Sequence, residues 1–428
     1  MSPQQTNNKI PDFYWGVSTS AHQIEGENHN DWTVWEERNA KRLADSANAN
    51  KNYGNGAGLL PDWNLIREFA KSPQNYISGR AMDSWRLWKE DINLIKSMGL
   101  NSYRFSIEWS RVQPAKDKFD NMAIAKYVQM AQYCLDNGIT PFITLHHYTN
   151  PVWLTDMGGW ESRLAPTLFT TYIEYVVKRL PKDQPIYYTV INEPNAYALI
   201  GWIVGEWPPA KHNYLAYRKV KHNLVEAHKQ SYKLIKDINP TAQVSSAVNL
   251  VDYEPVANLF GGINQLLAKL ARHLTNEWFI DQTIKEQDYI ALNQYMHCVV
   301  NLGYYKNPST EPKSDLGWYL NPQSLANVVE EVKKYNKPVI ITEHGLADAL
   351  DSLRSWYIAE SLKALQDSIK KGSDVRGYLH WSLLDNFEWD KGYWPKFGLY
   401  SVDPVSQKRS QKPSARIYQA IVRQNSPS

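Results

Sequence analysis

Short apolar runs, rich in β-branched residues and bounded by Gly, Pro or Asn, punctuate this chain. Between them lie longer stretches whose apolar residues recur every three or four positions. The first pattern marks strands buried on both faces, and the second marks helices with one face on a core. Runs of the first kind fall at 13–18, 102–107, 140–145, 186–191, 243–249, 289–292, 339–342 and 377–384. Helical patterns over 85–98, 123–136, 166–179, 215–237, 263–284, 324–335 and 352–370 separate most of them, and a last one over 413–423 closes the chain. Gly99 and Asn137-Gly138 supply helix stops. Strand and helix repeated in one direction predict an α/β fold, a (β/α)8 TIM barrel. No linker rich in Gly, Ser or Pro divides it, so residues 1–428 read as one domain with a flexible N-terminus over 1–10. The stretch 40–80, rich in Ala, Asn, Gly and Pro, reads as a long loop over the barrel mouth.

Carboxylates end two of the apolar runs. Glu193 lies in Tyr-Thr-Val-Ile-Asn-Glu-Pro-Asn (188–195) and Glu343 in Pro-Val-Ile-Ile-Thr-Glu-His-Gly (338–345). Active sites of α/β barrels are built at these strand ends. The two glutamates are 150 residues apart, so only a closed fold brings them together. Two converging carboxylates are the minimal apparatus for cleaving a glycosidic bond. Glu193 alone could merely open a helix, since Asn caps well and Pro suits the first turn. A matching carboxylate on another strand argues against that.

Other polar and aromatic residues collect at the same ends. Gln23 and Glu25 follow the first run, Arg104 lies on the second, and His146, His147 and Tyr148 follow the third. Asn192 precedes Glu193, Asn293 and Tyr295 end the sixth run, and Trp381, Asp385, Glu388 and Trp389 accompany the eighth. Such a rim suits a polyhydroxylated substrate. Arg104 inside an apolar strand needs an acidic partner, and the mouth glutamates are the candidates. Glu25, Glu108, Asp385 and Asp390 read as surface groups or as groups behind the site. His146 and His147 are neighbours on a strand and point to opposite faces, so no metal site is expected from them.

Composition narrows the choice. With 47 Lys+Arg against 44 Asp+Glu the net charge is +3, and no basic stripe stands out, which argues against nucleic acid. Trp (17) and Tyr (27) far outnumber Phe (10), as expected of a large core and also of a wet cavity lined by amphipathic rings. Cys134 and Cys298 are the only cysteines and have no local support for a bridge, which fits a reducing compartment. The N-terminus lacks the apolar segment of a signal peptide, and no run of 18 apolar residues could span a membrane. The expectation is a cytoplasmic protein with no membrane partner; nothing in the sequence fixes its oligomeric state.

Taken together, the motifs resemble glycoside hydrolase family 1, the β-glucosidase and β-galactosidase family. The resemblance rests on Ser-Ala-His-Gln-Ile-Glu-Gly (20–26), Tyr-Arg-Phe-Ser-Ile-Glu-Trp-Ser-Arg (103–111), Thr-Leu-His-His-Tyr-Thr-Asn-Pro (144–151) and Thr-Val-Ile-Asn-Glu-Pro (189–194). It continues through Ile-Thr-Glu-His-Gly (341–345), Trp-Ser-Leu-Leu-Asp-Asn-Phe-Glu-Trp (381–389) and Phe-Gly-Leu-Tyr-Ser-Val-Asp (397–403), in the family's order and across nearly the whole chain. It implies a retaining exo-β-glycosidase without a cofactor, most simply a β-glucosidase with β-galactosidase and β-fucosidase side activity. Its substrates would be small β-glycosides and short oligosaccharides. Glu193 would be the general acid/base on the fourth strand and Glu343 the nucleophile on the seventh, about 5–5.5 Å apart. By the same resemblance Arg104 and Asn293 support the nucleophile. Gln23, His147, Asn192, Tyr295, Trp381, Glu388 and Trp389 bind substrate, with Asn192 on the 2-hydroxyl, Trp381 under the ring and Tyr295 also holding Glu343. Relatives acting on 6-phosphorylated sugars lack the acidic Glu388, so a neutral sugar is expected.

Two departures stand out. His344 follows the nucleophile where the family usually has Asn; it either adjusts the orientation or ionisation of Glu343 or packs behind the site, and the second reading is preferred. Asp83-Ser84-Trp85 replaces the common Asp-His-Tyr, which leaves the aglycone mouth undefined, as do the loops at 40–80 and 298–320. A silent sugar-binding barrel and a transglycosidase or 6-phosphoglycosidase of the same site are the alternatives.

Overall fold

The eight apolar runs form eight parallel strands that close in chain order. They are β1 (Tyr14–Ser18), β2 (Ser102–Ser106), β3 (Thr140–Thr144), β4 (Tyr187–Asn192), β5 (Gln243–Asn249), β6 (Ile290–Gln294), β7 (Val339–His344) and β8 (Val375–Trp381). β1 pairs with β8 on one side and β2 on the other, which shuts the barrel. The structure, a computed structural model, describes residues 13–49, 68–182, 184, 186–305, 307 and 310–425. The N-terminal segment expected to be flexible lies outside these residues.

Strands enclosed by a barrel interior and a helical shell bury both faces, and that is why they read as mainly apolar runs. Inside, Phe142, Ala247, Ala291, Ile340 and Leu379 fill the lower barrel, with Phe142 stacked on Tyr187 at 4.3 Å. Outside, the strands meet helices whose apolar faces complete the main core. Asp120 caps the helix Asn121–Asp136 through the amides of Met122 and Ala123, and Asn213 caps Tyr214–Ile238 through Ala216. Each such cap stabilises its helix by about 1 kcal/mol. Gly99 and Gly138 leave their helices with φ of 74° and 70°, the left-handed turn that favours glycine.

Three expectations need correction. Residues 40–49 are not loop but the end of the helix Asp31–Ala49, whose Trp32, Trp35, Leu43, Ala44 and Ala47 are buried at helical spacing; 50–67 lie outside the described residues. Residues 298–301 are likewise not loop. They belong to the strand His297–Asn301, which pairs with Asp252–Pro255 on the rim. The helix expected over 263–284 is broken into Gly261–Arg272, a wider π turn His273–Glu277 and Trp278–Thr283. Cys134 and Cys298 are both free and buried. Among the described residues, no helix is long and apolar enough to cross a membrane.

Candidate active site

Two slips of strand register aim the carboxylates. β4 loses register against β5 between Thr189 and Asn192, and β7 against β6 between Ile341 and Glu343. Regular strands alternate their side chains between faces, and a bulge breaks the alternation where a side chain must be re-aimed. Thr342 and Glu343 can therefore both turn inward, Thr342 Oγ1 donating to Asn293 Oδ1 at 2.7 Å. Glu193 follows β4 with φ of 44°, left-handed for a non-glycine residue, and Pro194 then opens the helix Pro194–Leu199. Such a backbone costs on the order of 1–3 kcal/mol and persists only where the surroundings hold it.

The two carboxylates are held differently. Arg104 Nη1 donates to Glu343 Oε1, and the Tyr295 hydroxyl donates to Oε2 at 2.7 Å. Arg104 also reaches Asn192 Oδ1 through Nη2 at 2.6 Å. Glu193 has neutral donors instead: Asn293 Nδ2 reaches Oε1 at 2.7 Å and the Tyr148 hydroxyl reaches Oε2. Asn293 was expected to support Glu343, and here the structure differs. Thr342 holds its carbonyl oxygen, so its amide group turns to Glu193 and, at 3.2 Å, to Asn192 Oδ1. A continuous chain of hydrogen bonds thus links the two glutamates through Asn293, Asn192 and Arg104.

Burial, and then the charge of Glu343, push the Glu193 carboxyl up to about 7, with Tyr148, Asn293 and Asn249 opposing the shift. Glu388 is pushed up to about 8 by burial and by Asp390, Glu343 and Glu193, opposed by Gln23, whose Nε2 lies 3.3 Å from it. Gln23 is itself anchored on Ser20, Asn386 and the Phe387 carbonyl. His147 Nε2 faces Asn192 Nδ2 at 3.2 Å and so accepts, which requires a neutral ring with its proton on Nδ1. Burial, helped by Arg104, lowers its pKa well below that of an ordinary histidine, in agreement with that neutral ring.

Rings enclose this polar centre. His147 stacks on Trp381 at 6.0 Å and on Trp389 at 5.9 Å, and Trp389 also lies parallel to His22 at 5.5 Å. His146 points the other way, into Trp160, Phe169 and Tyr197. His344 also faces outward. Its ring stacks on Tyr357 at 4.9 Å, Nδ1 lies 3.0 Å from the Tyr378 hydroxyl, and burial lowers its pKa to about 3.

The acidic residues left open between surface and interior are all buried. Glu25 takes Arg111 and Tyr127, Glu108 takes Ser110 and Thr149, Asp385 takes Lys412, and Asp390 takes Trp207 and Lys391. They brace the rim loops. The sequence reading placed Tyr148 on the rim but missed its contact with Glu193, which depends on a left-handed φ of 70°. It also missed Asn386 behind Gln23 and Trp207 against Tyr148 (4.8 Å). Among the described residues, the one grouping with metal-ligand spacing is His273, Glu277 and Asp281, on the outer helical segment and outside this site.

The family profile "Glycosyl hydrolase family 1" matches residues 6–301 and 298–427. "Beta-glucosidase A" of Acetivibrio thermocellus is 29% identical over 97% of this chain and 98% of that protein. A "1,4-beta-D-glucan glucohydrolase" of Thermotoga neapolitana is 30% identical over 94% and 99%. Among solved structures, the beta-glycosidase from Pyrococcus horikoshii superposes with a TM-score of 0.83 at 31% identity, covering 97% of this chain and 95% of that one. The beta-glucosidase of Thermotoga maritima, in complex with deoxynojirimycin, gives 0.79 at 26% identity over 98% and 100%.

Proposed function

This chain belongs to glycosyl hydrolase family 1 and is a retaining β-glycosidase; on that premise we propose that Glu343 is its nucleophile, Glu193 its general acid/base and β-glucosides its principal substrates. The observation that carries the assignment is the unequal dressing of the two carboxylates. Arg104 and Tyr295 favour an ionised Glu343, ready to attack. Burial and the neighbouring charge favour a protonated Glu193, ready to give its proton to the leaving oxygen.

In the first step Glu343 attacks the anomeric carbon from the face opposite the aglycone, while Glu193 protonates the glycosidic oxygen. The bond to the aglycone breaks and an ester to Glu343 forms. Esterification removes the Glu343 charge, one cause of the raised Glu193 pKa, so Glu193 becomes a better base. It then takes a proton from water, which opens the ester and restores the β configuration. Asn192, held by Arg104 and Asn293, meets the 2-hydroxyl. Gln23, His147 and Glu388 take the remaining hydroxyls, Trp389 adds a donor, and Trp381 lies under the ring. Glu388 is held by the neutral amide of Gln23, a setting for hydroxyl groups and not for a phosphate dianion. None of these steps draws on a metal or cofactor.

Family relatives named as beta-glucosidases motivate the gluco preference. Galactosides and fucosides are expected as slower substrates, since the same amide and carboxyl pair can meet either epimer. We also assign the action to one barrel unit and to a reducing, cytoplasmic setting, in keeping with two buried free thiols. A panel of nitrophenyl β-glycosides (glucoside, galactoside, fucoside, mannoside and 6-phosphoglucoside) tests the reading. The glucoside should lead in kcat/KM, with a descending alkaline limb near the Glu193 value of about 7. A leading 6-phosphoglucoside would overturn the role of Glu388, and no release from any member would overturn the catalytic assignment.

A further inference from the structure

Three loops meet around Tyr148. Its own follows β3, Trp207 lies beyond the helix Pro194–Leu199 that follows β4, and Asp390 lies in the turn Trp389–Lys391 after β8. Tyr148 has a left-handed φ of 70°, a backbone that persists only where its surroundings hold it. Its ring centroid lies 4.8 Å from that of Trp207, 4.9 Å from Trp389 and 5.9 Å from Tyr197. Trp207 is itself fixed. It is buried, its ring meets Trp32 at 5.6 Å, and its Nε1 donates to Asp390 Oδ1 at 2.8 Å. Lys391 Nζ closes the other oxygen of Asp390 at 2.6 Å. A buried indole N–H needs an acceptor, and here a loop from the far side of the strand order supplies it.

We propose that Trp207, anchored by Asp390, is a positioning residue that holds the Tyr148 phenol on Glu193; the inference rests on Glu193 being the acid/base. The Tyr148 hydroxyl donates to Glu193 Oε2 and so favours its ionised form, the form that must act as base when water opens the ester. The groups that bear on the Glu193 proton are Tyr148 after β3, Asn249 on β5, Asn293 on β6, Glu343 on β7 with Arg104 and Tyr295 upon it, and Glu388 after β8. Asn249, Asn293 and Glu343 are placed by the hydrogen bonds of their strands. Tyr148 lies on a turn, so its hydroxyl stays where the rings packed on it allow. The one donor of the Trp207 side chain is committed to Asp390, and Trp207 therefore acts on Glu193 through the Tyr148 ring.

Profiles of kcat/KM and kcat against pH, for nitrophenyl and dinitrophenyl β-glucosides, test the inference. Trp207→Leu fills space without a ring or a donor. It should move the alkaline limb of kcat/KM up by about 0.5–1 pH unit and slow deglycosylation roughly threefold to tenfold. Trp207→Phe keeps a ring over Tyr148 but loses the bond to Asp390, and should do the same by less; it carries the test should the leucine variant not fold. In a Tyr148→Phe background neither substitution should add to the effect, because the hydroxyl it acts through is gone. A limb that stays put, a further shift in that background, or a rise in KM at an unmoved limb overturns the proposal. Glu193→Ala is the control for the catalytic assignment and should lose the limb near the Glu193 value of about 7. A limb that survives there overturns that assignment and this inference with it. Its loss there, beside an unmoved limb in Trp207→Leu, overturns this inference alone.

Discussion

The ends of β4 and β7 carry the same side chain at the same rim, yet they are built as opposites. At β7 a buried guanidinium and a phenol grip Glu343, and all three belong to the barrel strands or the residue just beyond them. At β4 the backbone of Glu193 is left-handed, and its partners are a neutral amide and a phenol on a turn. Burying a carboxylate without a cation is expensive and favours the protonated form at β4, whereas at β7 the Arg104 guanidinium offsets that cost. Identity of residue says nothing here about role. The donors do.

Removing each carboxylate breaks the comparison most severely. Glu343→Gly leaves no group to form the ester, so turnover should fall by roughly 10⁵-fold or more, the scale seen when a nucleophile is deleted. Azide should then fill the vacated space and yield an α-glycosyl azide, which NMR of the product identifies. Wild-type turnover in that variant would sink the assignment. Glu193→Ala should be milder and depend on the leaving group, because general acid–base assistance is worth about 10²–10⁴-fold. A dinitrophenyl glucoside needs no proton to leave, so its first step should survive and a burst should precede a slow second step. Equal losses for activated and unactivated glucosides would reverse the roles given to β4 and β7.

How much of this was legible in the sequence follows from the same physics. The barrel strands were readable because burial on both faces leaves them mainly apolar. Arg104 in β2 was therefore a signal, and its partner proved to be one of the two glutamates named for it. Residues 40–49 were misread from their composition, although Leu43, Ala44 and Ala47 continue the helical spacing of Trp32 and Trp35. The rim strand Asp252–Pro255 has only four residues, and His297–Asn301 follows β6 with no helix between them to mark a new element. Asn293 was given to the wrong glutamate because a register slip in the neighbouring strand leaves no mark on composition. The sequence leaves His344 between an influence on Glu343 and a position behind the site, and its ring stacks on Tyr357, away from the two glutamates.

The finest test exchanges one phenol at each glutamate. Tyr295→Phe removes a donor to an ionised group, a bond worth about 1.5–3 kcal/mol, so the first step should slow by roughly 10–100-fold. The alkaline limb should stay where it is, because Glu193 keeps its own donors. Tyr148→Phe should do the reverse. The Tyr148 hydroxyl stabilises the ionised form of Glu193 and so opposes the rise to about 7. Without it the proton is held more tightly, and the alkaline limb of kcat/KM should move to higher pH with little loss at the optimum. The same variant should be slower in deglycosylation, where Glu193 must act as an ionised base. Profiles of kcat/KM and kcat against pH read the two effects separately. A downward shift of the limb in Tyr148→Phe would mean that the phenol favours the protonated acid, and the difference between the two strand ends would then lie in burial alone.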